Sequence, residues 1–323
     1  MNSLEDALKF IEPDETALAF LDRAMKPALV TKIPFLDAEG GARALRGGEI
    51  LEIVGPSASG KTELALEIAA QCVLPRERRG VKYDGSSARV VVIDCDGKFD
   101  SLRFLRAVNG KIAKALRVVG ENKRETLADE VYEESMSRFT LVRAHSSMDV
   151  LKTLTALDAA WRGCGGRGGA RFRGGRDKAE IDDDHVMDDD REGNVADHGD
   201  GQRLVICDNV AAFYWLDRAS RKDHGAPLNI QRIFASEARL FTRLARAHRV
   251  AIVVTKTTVG EFHHGEYRDF LPMEWTVAVT QRILLEPARD VGATYGEYSG
   301  VARWDTPRRP GGTFTVSALG MRC

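Results

Sequence analysis

The hydrophobic positions of this chain alternate between short continuous apolar runs and longer stretches with helical spacing. In the longer stretches an apolar residue recurs every three or four positions, as Leu64, Ile68 and Cys72 do, which is the period of a helix with one buried face. The short runs are rich in valine and isoleucine, which is typical of strands buried on both faces of a parallel sheet. The pattern predicts strands at Glu49–Val54, Arg89–Asp94, Phe139–Arg143, Leu204–Cys207 and Val250–Val254, and helices at Lys61–Cys72, 100–118, Asp149–Trp161 and 229–247.

This regular alternation of strands and helices predicts the fold class. Strands separated by helices pair in parallel, and the helices then cover both faces of the sheet. After residue 275 the pattern changes to β-like runs at Val277–Leu285 and Thr313–Leu319, which we expect to extend the sheet edge as antiparallel strands. The sequence therefore predicts an α/β protein with a mostly parallel central sheet.

Two segments lie outside the alternation. Residues 1–45 are too short for a cored domain, and we expect either a lead-in packed on the chain's own core or an arm that docks on a partner. Residues 162–201 join an Arg/Gly-rich half to runs of aspartate and offer few apolar side chains. This composition predicts a disordered insertion within a core domain at 46–323. Arg/Gly segments can bind nucleic acid, but the aspartates would oppose phosphate and favour a solvated loop.

Composition and charge exclude several classes of protein. The chain has 323 residues, is 43% hydrophobic and 29% charged, and carries a formal net charge of −1. These values argue against a wholly disordered chain and against a globally basic nucleic-acid binder. We find no uninterrupted apolar stretch of about 18 residues and therefore expect no membrane span. The five cysteines form no Cys-x-x-Cys pair, so neither a zinc site nor a disulfide framework is expected.

The strongest chemical signal is the phosphate-loop motif G-x-x-x-x-G-K-T at Gly55–Thr62. It lies between the first predicted strand and the first predicted helix. The glycines of such a loop let its backbone N–H groups point at phosphate oxygens, and the helix N-terminus adds a favourable dipole. We expect Lys61 to reach the β- and γ-phosphates and the Thr62 hydroxyl to hold Mg²⁺. The motif predicts ATP and Mg²⁺ as cofactors, with ATP bound by Gly55, Pro56, Ser57, Ala58, Ser59, Gly60, Lys61 and Thr62.

Two further predicted strands end in carboxylates. Asp208 follows an apolar strand and is expected to hold Mg²⁺ through water, opposite Thr62. Asp94 and Asp96 end the strand after the phosphate-loop helix, and an acid there can polarise the water that attacks a γ-phosphate. Ordinary strand-end capping explains this pair equally well. The acids of this pair are therefore candidates for water activation.

The order of these motifs resembles that of RecA-type recombinases. Two strand–helix units lie between the loop and Asp208, whereas small nucleoside kinases and GTPases bring in the second acid much sooner. The segment Ile93–Asp100 strengthens the resemblance. The aromatic run Phe213, Tyr214 and Trp215, followed by Leu-Asp-Arg, is similar to recombinase paralogues, although core or interface packing alone explains these aromatic side chains.

The resemblance implies a RecA-like ATPase core and a nuclear protein that acts in homologous-recombination repair of DNA double-strand breaks. Such paralogues assist assembly of the main recombinase on single-stranded DNA. They work in heteromeric complexes with other recombinase paralogues, among which the D-type Rad paralogue is our first candidate partner. Contact with single-stranded or branched DNA is expected through that complex.

Departures from the recombinase pattern concern hydrolysis. Recombinases place Glu at the position of Asp96 and a γ-phosphate-sensing Gln near Lys256, where this chain has Thr257. We therefore expect ATP binding with at most weak ATPase activity, and Asp96 as a weak or vestigial catalytic group. Residues 259–272 form either a DNA-binding loop or an ordinary surface loop. The alternative functions are an active single-strand-DNA-dependent ATPase or helicase-like motor, and a small-molecule P-loop kinase.

Overall fold

The computed structural model describes most of the predicted core. The described residues are 28–37, 45–118, 120–163, 201–219, 230–258, 269–288, 297–317 and 320–323. Most of the predicted arm, nearly all of the predicted insertion and most of the candidate DNA-binding loop lie outside these ranges, at 1–27, 38–44, 164–200 and 259–268.

A nine-stranded sheet forms the centre of the described residues, in the order β11-β10-β9-β8-β1-β7-β6-β4-β5. Its strands are β1 (Ile50–Gly55), β4 (Arg89–Asp94), β5 (Phe139–Arg143), β6 (Arg203–Asp208), β7 (Ala251–Thr257), β8 (Gln281–Pro287), β9 (Tyr298–Thr306), β10 (Gly312–Ser317) and β11 (Gly320–Arg322), and a separate hairpin joins β2 (Glu77–Arg78) to β3 (Val81–Lys82). The strands from β8 to β5 pair in parallel. The last three pair antiparallel.

Helices cover both faces of this sheet. The helices are α1 (Lys61–Val73), α2 (Ser101–Ala115), α3 (Glu121–Ser137), α4 (Ser147–Gly163), α5 (Tyr214–Ala219), α6 (Ile230–His248) and α7 (Met273–Ala278), with a 3₁₀ turn at Leu116–Val118. Apolar side chains of α1, α2 and α3 pack on one face, and those of α4, α6 and α7 pack on the other. The predicted fold class is confirmed: the protein is α/β, with a mostly parallel central sheet and antiparallel strands near the C-terminus. Among the described helices, none combines the length and apolar character that a membrane crossing requires.

One predicted antiparallel strand is wrong in orientation and in extent. Residues 277 and 278 belong to α7, and the strand that follows, β8, pairs parallel with β1. The indole of Trp275 explains the helix, because it is fully buried and donates a hydrogen bond to Glu52 Oε1 on β1. This contact holds α7 against one face of the sheet, and the chain then enters β8 parallel to β1.

Helix α3 and strand β9 were not predicted. Few positions of α3 are buried, with Leu127 and Val131 the apolar ones, so its helical period is weak.

The described part of the lead-in, 28–37, packs on the core through buried apolar residues such as Leu29 and Leu36. The backbone carbonyl of its Phe35 accepts a hydrogen bond from the Trp304 indole at 2.9 Å.

Candidate nucleotide-binding site

A cleft of about 340 Å³ lies at the carboxyl ends of the central strands. Ligands of open α/β sheets bind at this edge. The cleft is lined by Ser57, Ala58, Ser59, Gly60, Lys61, Thr62, Glu63, Asp96, Lys98, Asp208, Asn209, Thr257, Tyr298 and Val316. The structure therefore brings the predicted phosphate loop, Asp96 and Asp208 together, and it adds residues from β9 and β10.

Both outer glycines of the phosphate loop are required by its geometry. Gly60 has a φ of 85°, in the left-handed region that glycine adopts without steric cost. A Cβ on Gly55 would lie 2.4 Å from Ser59 Oγ and 2.5 Å from the Leu285 carbonyl oxygen. The loop is therefore closed tightly over the end of β1, and Pro56 continues it toward α1.

Lys61 is directed back into this loop. Its ammonium donates hydrogen bonds to the carbonyl oxygens of Pro56 and Gly55, at 2.6 and 3.1 Å, and lies 3.4 Å from Ser59 Oγ. Burial lowers the pKa of Lys61 to about 8, the charge of Asp208 raises it and the charge of Lys98 lowers it. The ammonium is therefore a cation placed where phosphate oxygens can replace carbonyl oxygens as its partners.

Thr62 and Asp208 meet across the cleft as the sequence predicts. Thr62 Oγ1 donates a hydrogen bond to Asp208 Oδ2 at 2.8 Å, and the Thr255 hydroxyl donates to Asp208 Oδ1. Burial raises the pKa of Asp208, the two hydroxyl groups oppose that shift, and the charges of Asp96 and Asp94 add to it. A hydroxyl beside a carboxylate is the pair of oxygen ligands that Mg²⁺ takes in such loops.

Asp94, Asp96 and Asp208 form one acidic cluster. Asp94 and Asp208 stand in direct register on neighbouring strands, and one carboxylate oxygen from each aspartate lies within 4.8 Å of the others. Asp94 Oδ2 and Asp96 Oδ1 are buried and have no hydrogen-bond partner within the described residues. Asp94 Oδ2 does have the Arg143 guanidinium 4.0 Å away. The cluster concentrates negative charge at the place where a cation or a polarised water would bind.

Lys98 was not predicted as a site residue. Its ammonium lies 2.9 Å from Asp96 Oδ2, and this hydrogen bond raises the pKa of Lys98. A charged residue in a loop ordinarily indicates a solvated surface, so the sequence offered no signal except proximity to Asp96. The pair neutralises the carboxylate that the motif assigns to water activation.

Thr257 stands where the resemblance to recombinases would place a glutamine. Its hydroxyl accepts a hydrogen bond of 3.1 Å from Asn209 Nδ2, and both residues line the cleft. The side chain is therefore tied to the residue that follows Asp208, on the strand beside it. A threonine at this position is too short to reproduce the amide contact of a glutamine.

The aromatic run near Asp208 divides between packing and exposure. Tyr214 packs edge-to-face on Phe270, with ring centroids 4.9 Å apart, and Phe213 packs on the core face that carries α6. Trp215 is 54% exposed and lies next to Leu216, which is 68% exposed. Of the predicted core or interface packing, the structure shows core packing for the first two aromatic side chains, whereas α5 turns Trp215 outward.

The residues present fit a nucleotide with its metal ion. The loop backbone and Lys61 suit a diphosphate unit, and the Thr62 and Asp208 oxygens suit Mg²⁺. Tyr298 lines the same cleft, and its hydroxyl is buried with no hydrogen-bond partner among the described residues. A buried hydroxyl without a partner is costly, and a polar ligand group in the cleft would satisfy it.

The chain is similar to curated DNA repair proteins, although no family model matches it. The Arabidopsis thaliana protein described as DNA repair protein XRCC2 homolog is 22% identical over 334 residues, which cover 88% of this chain and 80% of the plant protein. DNA repair protein XRCC2 of Mus musculus is 22% identical over 79% of this chain and 78% of its own length. DNA repair protein RAD51 homolog 4 of Bos taurus is 23% identical over 84% of this chain and 65% of its own length. Together with the RecA-like fold, these similarities confirm the resemblance that the motifs indicate: the chain resembles RecA-type recombinase paralogues and is similar to XRCC2 proteins.

Proposed function

We propose that this protein is an ATP-binding recombinase paralogue subunit that acts in homologous-recombination repair of DNA double-strand breaks. The observation that carries the proposal is the meeting of Lys61, Thr62 and Asp208 in one cleft. The supporting similarity covers 88% of the chain and is to a protein described as a DNA repair protein. Within a heteromeric paralogue complex, the subunit assists assembly of the main recombinase on single-stranded DNA.

The chemistry of the cleft supports ATP binding. The backbone N–H groups of the loop and the N-terminus of α1 would face the phosphates. The flexible side chain of Lys61 would bring a positive charge to the phosphate oxygens. Thr62 would hold Mg²⁺ directly, and Asp208 would hold it through water. The bound Mg²⁺ would neutralise phosphate charge, whereas the aspartates of the cleft are themselves negative and cannot.

Hydrolysis in this proposal is weak. Asp96 is one methylene shorter than glutamate, and its carboxylate is already paired with Lys98. Thr257 is held by Asn209 and cannot extend to a γ-phosphate. Positioning of the attacking water accounts for much of the rate of phosphoryl transfer, so both departures reduce it. The subunit then acts through its nucleotide-bound state rather than through repeated turnover.

The partners in this proposal are other recombinase paralogues, the D-type Rad paralogue first, and the compartment is the nucleus. The similarity to a RAD51 homolog supports membership of that group of proteins. DNA reaches the subunit through the complex. A single-strand-DNA-dependent motor remains the alternative, and the rate of ATP hydrolysis separates the two functions.

The test is loss and restoration of recombination in cells. Cells that lack the chain should repair an induced break by gene conversion at a fraction of the parental frequency and form fewer recombinase foci. The parent sequence should restore both readouts, and its purification from nuclear extract should recover recombinase paralogues. Normal gene conversion in the absence of the chain would contradict the proposed function.

A further inference from the structure

Lys98 stands on the open wall of the nucleotide cleft, where no motif assigns it a role. Its side chain is 61% exposed, and its ammonium is held by the carboxylate of Asp96 at 2.9 Å. Lys98 and Lys61 line the same cleft. Two lysines therefore reach the space that the phosphates of a nucleotide would fill, and Lys61 is the one that the phosphate-loop motif explains.

The backbone on both sides of Lys98 is held in place by hydrogen bonds and packing. Gly97 turns the chain with a φ of 71°, and the Lys98 amide donates a hydrogen bond of 3.2 Å to Asp94 Oδ1. Phe99 is buried at 1% exposure, and Asp100 caps α2 by accepting hydrogen bonds from its first amides. The side chain of Lys98 is thus presented from a fixed position, and such preorganisation lowers the entropy cost of binding a ligand.

The charges around the cleft explain why a cation is needed at this wall. Asp94, Asp96 and Asp208 place carboxylate oxygens within 4.8 Å of one another, and they would repel a polyphosphate. Burial is the main cause that lowers the pKa of Lys61, and repulsion between its ammonium group and that of Lys98 adds to the lowering. An anion between them would relieve that repulsion and would compete with Asp96 for Lys98.

We propose that Lys98 binds the terminal phosphate of a nucleoside triphosphate in this cleft and thereby favours the triphosphate over the diphosphate. The inference rests on the proposed ATP-binding function. Lys61 reaches the β- and γ-phosphates from the phosphate loop, whereas Lys98 approaches the terminal phosphate from the β4–α2 connection beside Asp96. On binding, the Lys98 ammonium exchanges the Asp96 carboxylate for phosphate oxygens, and no covalent bond changes.

The experiment measures binding of a slowly hydrolysed ATP analogue and of ADP to the full chain by calorimetry. Lys98→Ala should weaken analogue binding about tenfold or more, the value of one charge-assisted hydrogen bond. ADP binding should weaken by less than about threefold, because ADP has no phosphate at that position. Lys98→Arg should retain most of the preference, and Lys152→Ala, which removes an exposed lysine of α4 paired with Asp149, is the matched control. Thermal unfolding of each variant reports whether the fold is intact.

Asp96→Asn separates ligand binding from a purely structural ion pair. It breaks the same pair but leaves the ammonium free, so analogue binding should be retained or tightened. Equal losses for Asp96→Asn and Lys98→Ala would show that the pair only holds the loop, and equal losses of analogue and ADP in Lys98→Ala would show that the phosphate contact is absent. Either result overturns the inference about Lys98 while ATP binding stands. Failure of the parent chain to bind either nucleotide would instead overturn the proposed function, and the inference with it.

Discussion

The Thr62 hydroxyl donates a hydrogen bond of 2.8 Å to Asp208 Oδ2, across 146 positions of sequence. Thr62 is the second residue of the phosphate-loop helix, and Asp208 ends a strand that follows two further strand–helix units. The register between β4 and β6 also sets Asp208 directly beside Asp94. A loop motif and an isolated strand-end acid thereby become one site.

Lys61→Ala should weaken ATP binding tenfold or more, which is on the order of 1.4 kcal/mol or above. The reason is loss of the point charge that the loop directs at the phosphates. Calorimetric titration of ATP into the purified chain measures the effect. Lys114→Ala on the exposed surface of α2 is the control, and it should bind ATP as the parent does. Equal affinities of Lys61→Ala and the parent would show that the loop does not hold the nucleotide.

ATP binding should also weaken as pH rises through about 8, where the buried Lys61 loses its proton in the free protein. Below that pH the ammonium is present and the affinity is constant. Above it, protonation must accompany binding, and the affinity falls up to about tenfold per pH unit. Titration at pH 9 in buffers of different ionisation enthalpy should reveal the uptake of about one proton. Lys61→Ala should lack both the slope and the proton uptake.

The parallel core could be predicted from the sequence because its strands are continuous apolar runs. Val90–Ile93 is buried on both sides, and no orientation of such a segment other than the sheet interior is favourable. The direction of β8 could not be predicted. Strand β8 follows α7, whose Trp275 contacts Glu52 from 223 positions away, and pairs with β1. The hydrophobic period of a segment gives no information about such long-range contacts.

The candidate site also contains residues that the sequence predicts and one that it does not. Lys61, Thr62 and Asp208 follow from motifs whose residue types and order are bound to phosphate chemistry. Lys98 does not, because its position depends on the turn at Gly97 and on the meeting of its ammonium with Asp96. The local sequence shows only a charged residue in a polar loop. The distance of 2.9 Å between the Lys98 ammonium and Asp96 Oδ2 is what places this residue in the site.

Breaking the buried ion pair between β1 and β7 should destabilise the sheet. Lys256 Nζ lies 2.6 Å from Glu52 Oε1, and both side chains are fully buried. Asp269 and Arg282 extend the same network. Lys256→Met should lower the free energy of unfolding by up to about 3–5 kcal/mol, because the carboxylates of Glu52 and Asp269 then share only the Arg282 guanidinium as counter-ion among the described residues. Urea denaturation measures this change.

The surface pair of Lys32 and Asp84 gives the matched control, at 2.7 Å with about half of each side chain exposed. Lys32→Ala should cost less than about 1 kcal/mol. The double variant Glu52→Gln with Lys256→Met should lose much less than the sum of its single variants, since the two charges compensate each other. Additive losses would show that the buried pair is not coupled.

Deletion of residues 165–200 should leave the fold intact. The segments on either side already meet, because the Arg203 guanidinium carbon lies 5.4 Å from the centre of the Trp161 ring. The few remaining residues can therefore join α4 to β6, and long connections cost little to shorten. The thermal midpoint should stay within about 4 °C of the parent, a change of roughly 1 kcal/mol. Insoluble protein would show that the deleted segment packs on the core.

Asp96→Glu should accelerate ATP hydrolysis, which in the parent is expected to be slower than about 1 s⁻¹. The aspartate carboxylate stands about 1–1.5 Å further from an attacking water than a glutamate would, and a displacement of that size can cost about a hundredfold in rate. Lys98 adds to the loss, because its ammonium holds the same carboxylate. Single-turnover hydrolysis by the purified chain, with and without single-stranded DNA, measures the rates.

The control for this comparison is Asp149→Glu, a change of the same size on α4, which should hydrolyse ATP at the parental rate. The glutamate variant should gain rate without gaining affinity, since the carboxylate acts on water rather than on the bound phosphates. Should the parent already turn over at about 1 s⁻¹ or faster, the pairing of Asp96 with Lys98 does not restrain the chemistry. The chain would then be a DNA-stimulated motor, and its nucleotide cycle rather than its nucleotide-bound state would drive its action on DNA.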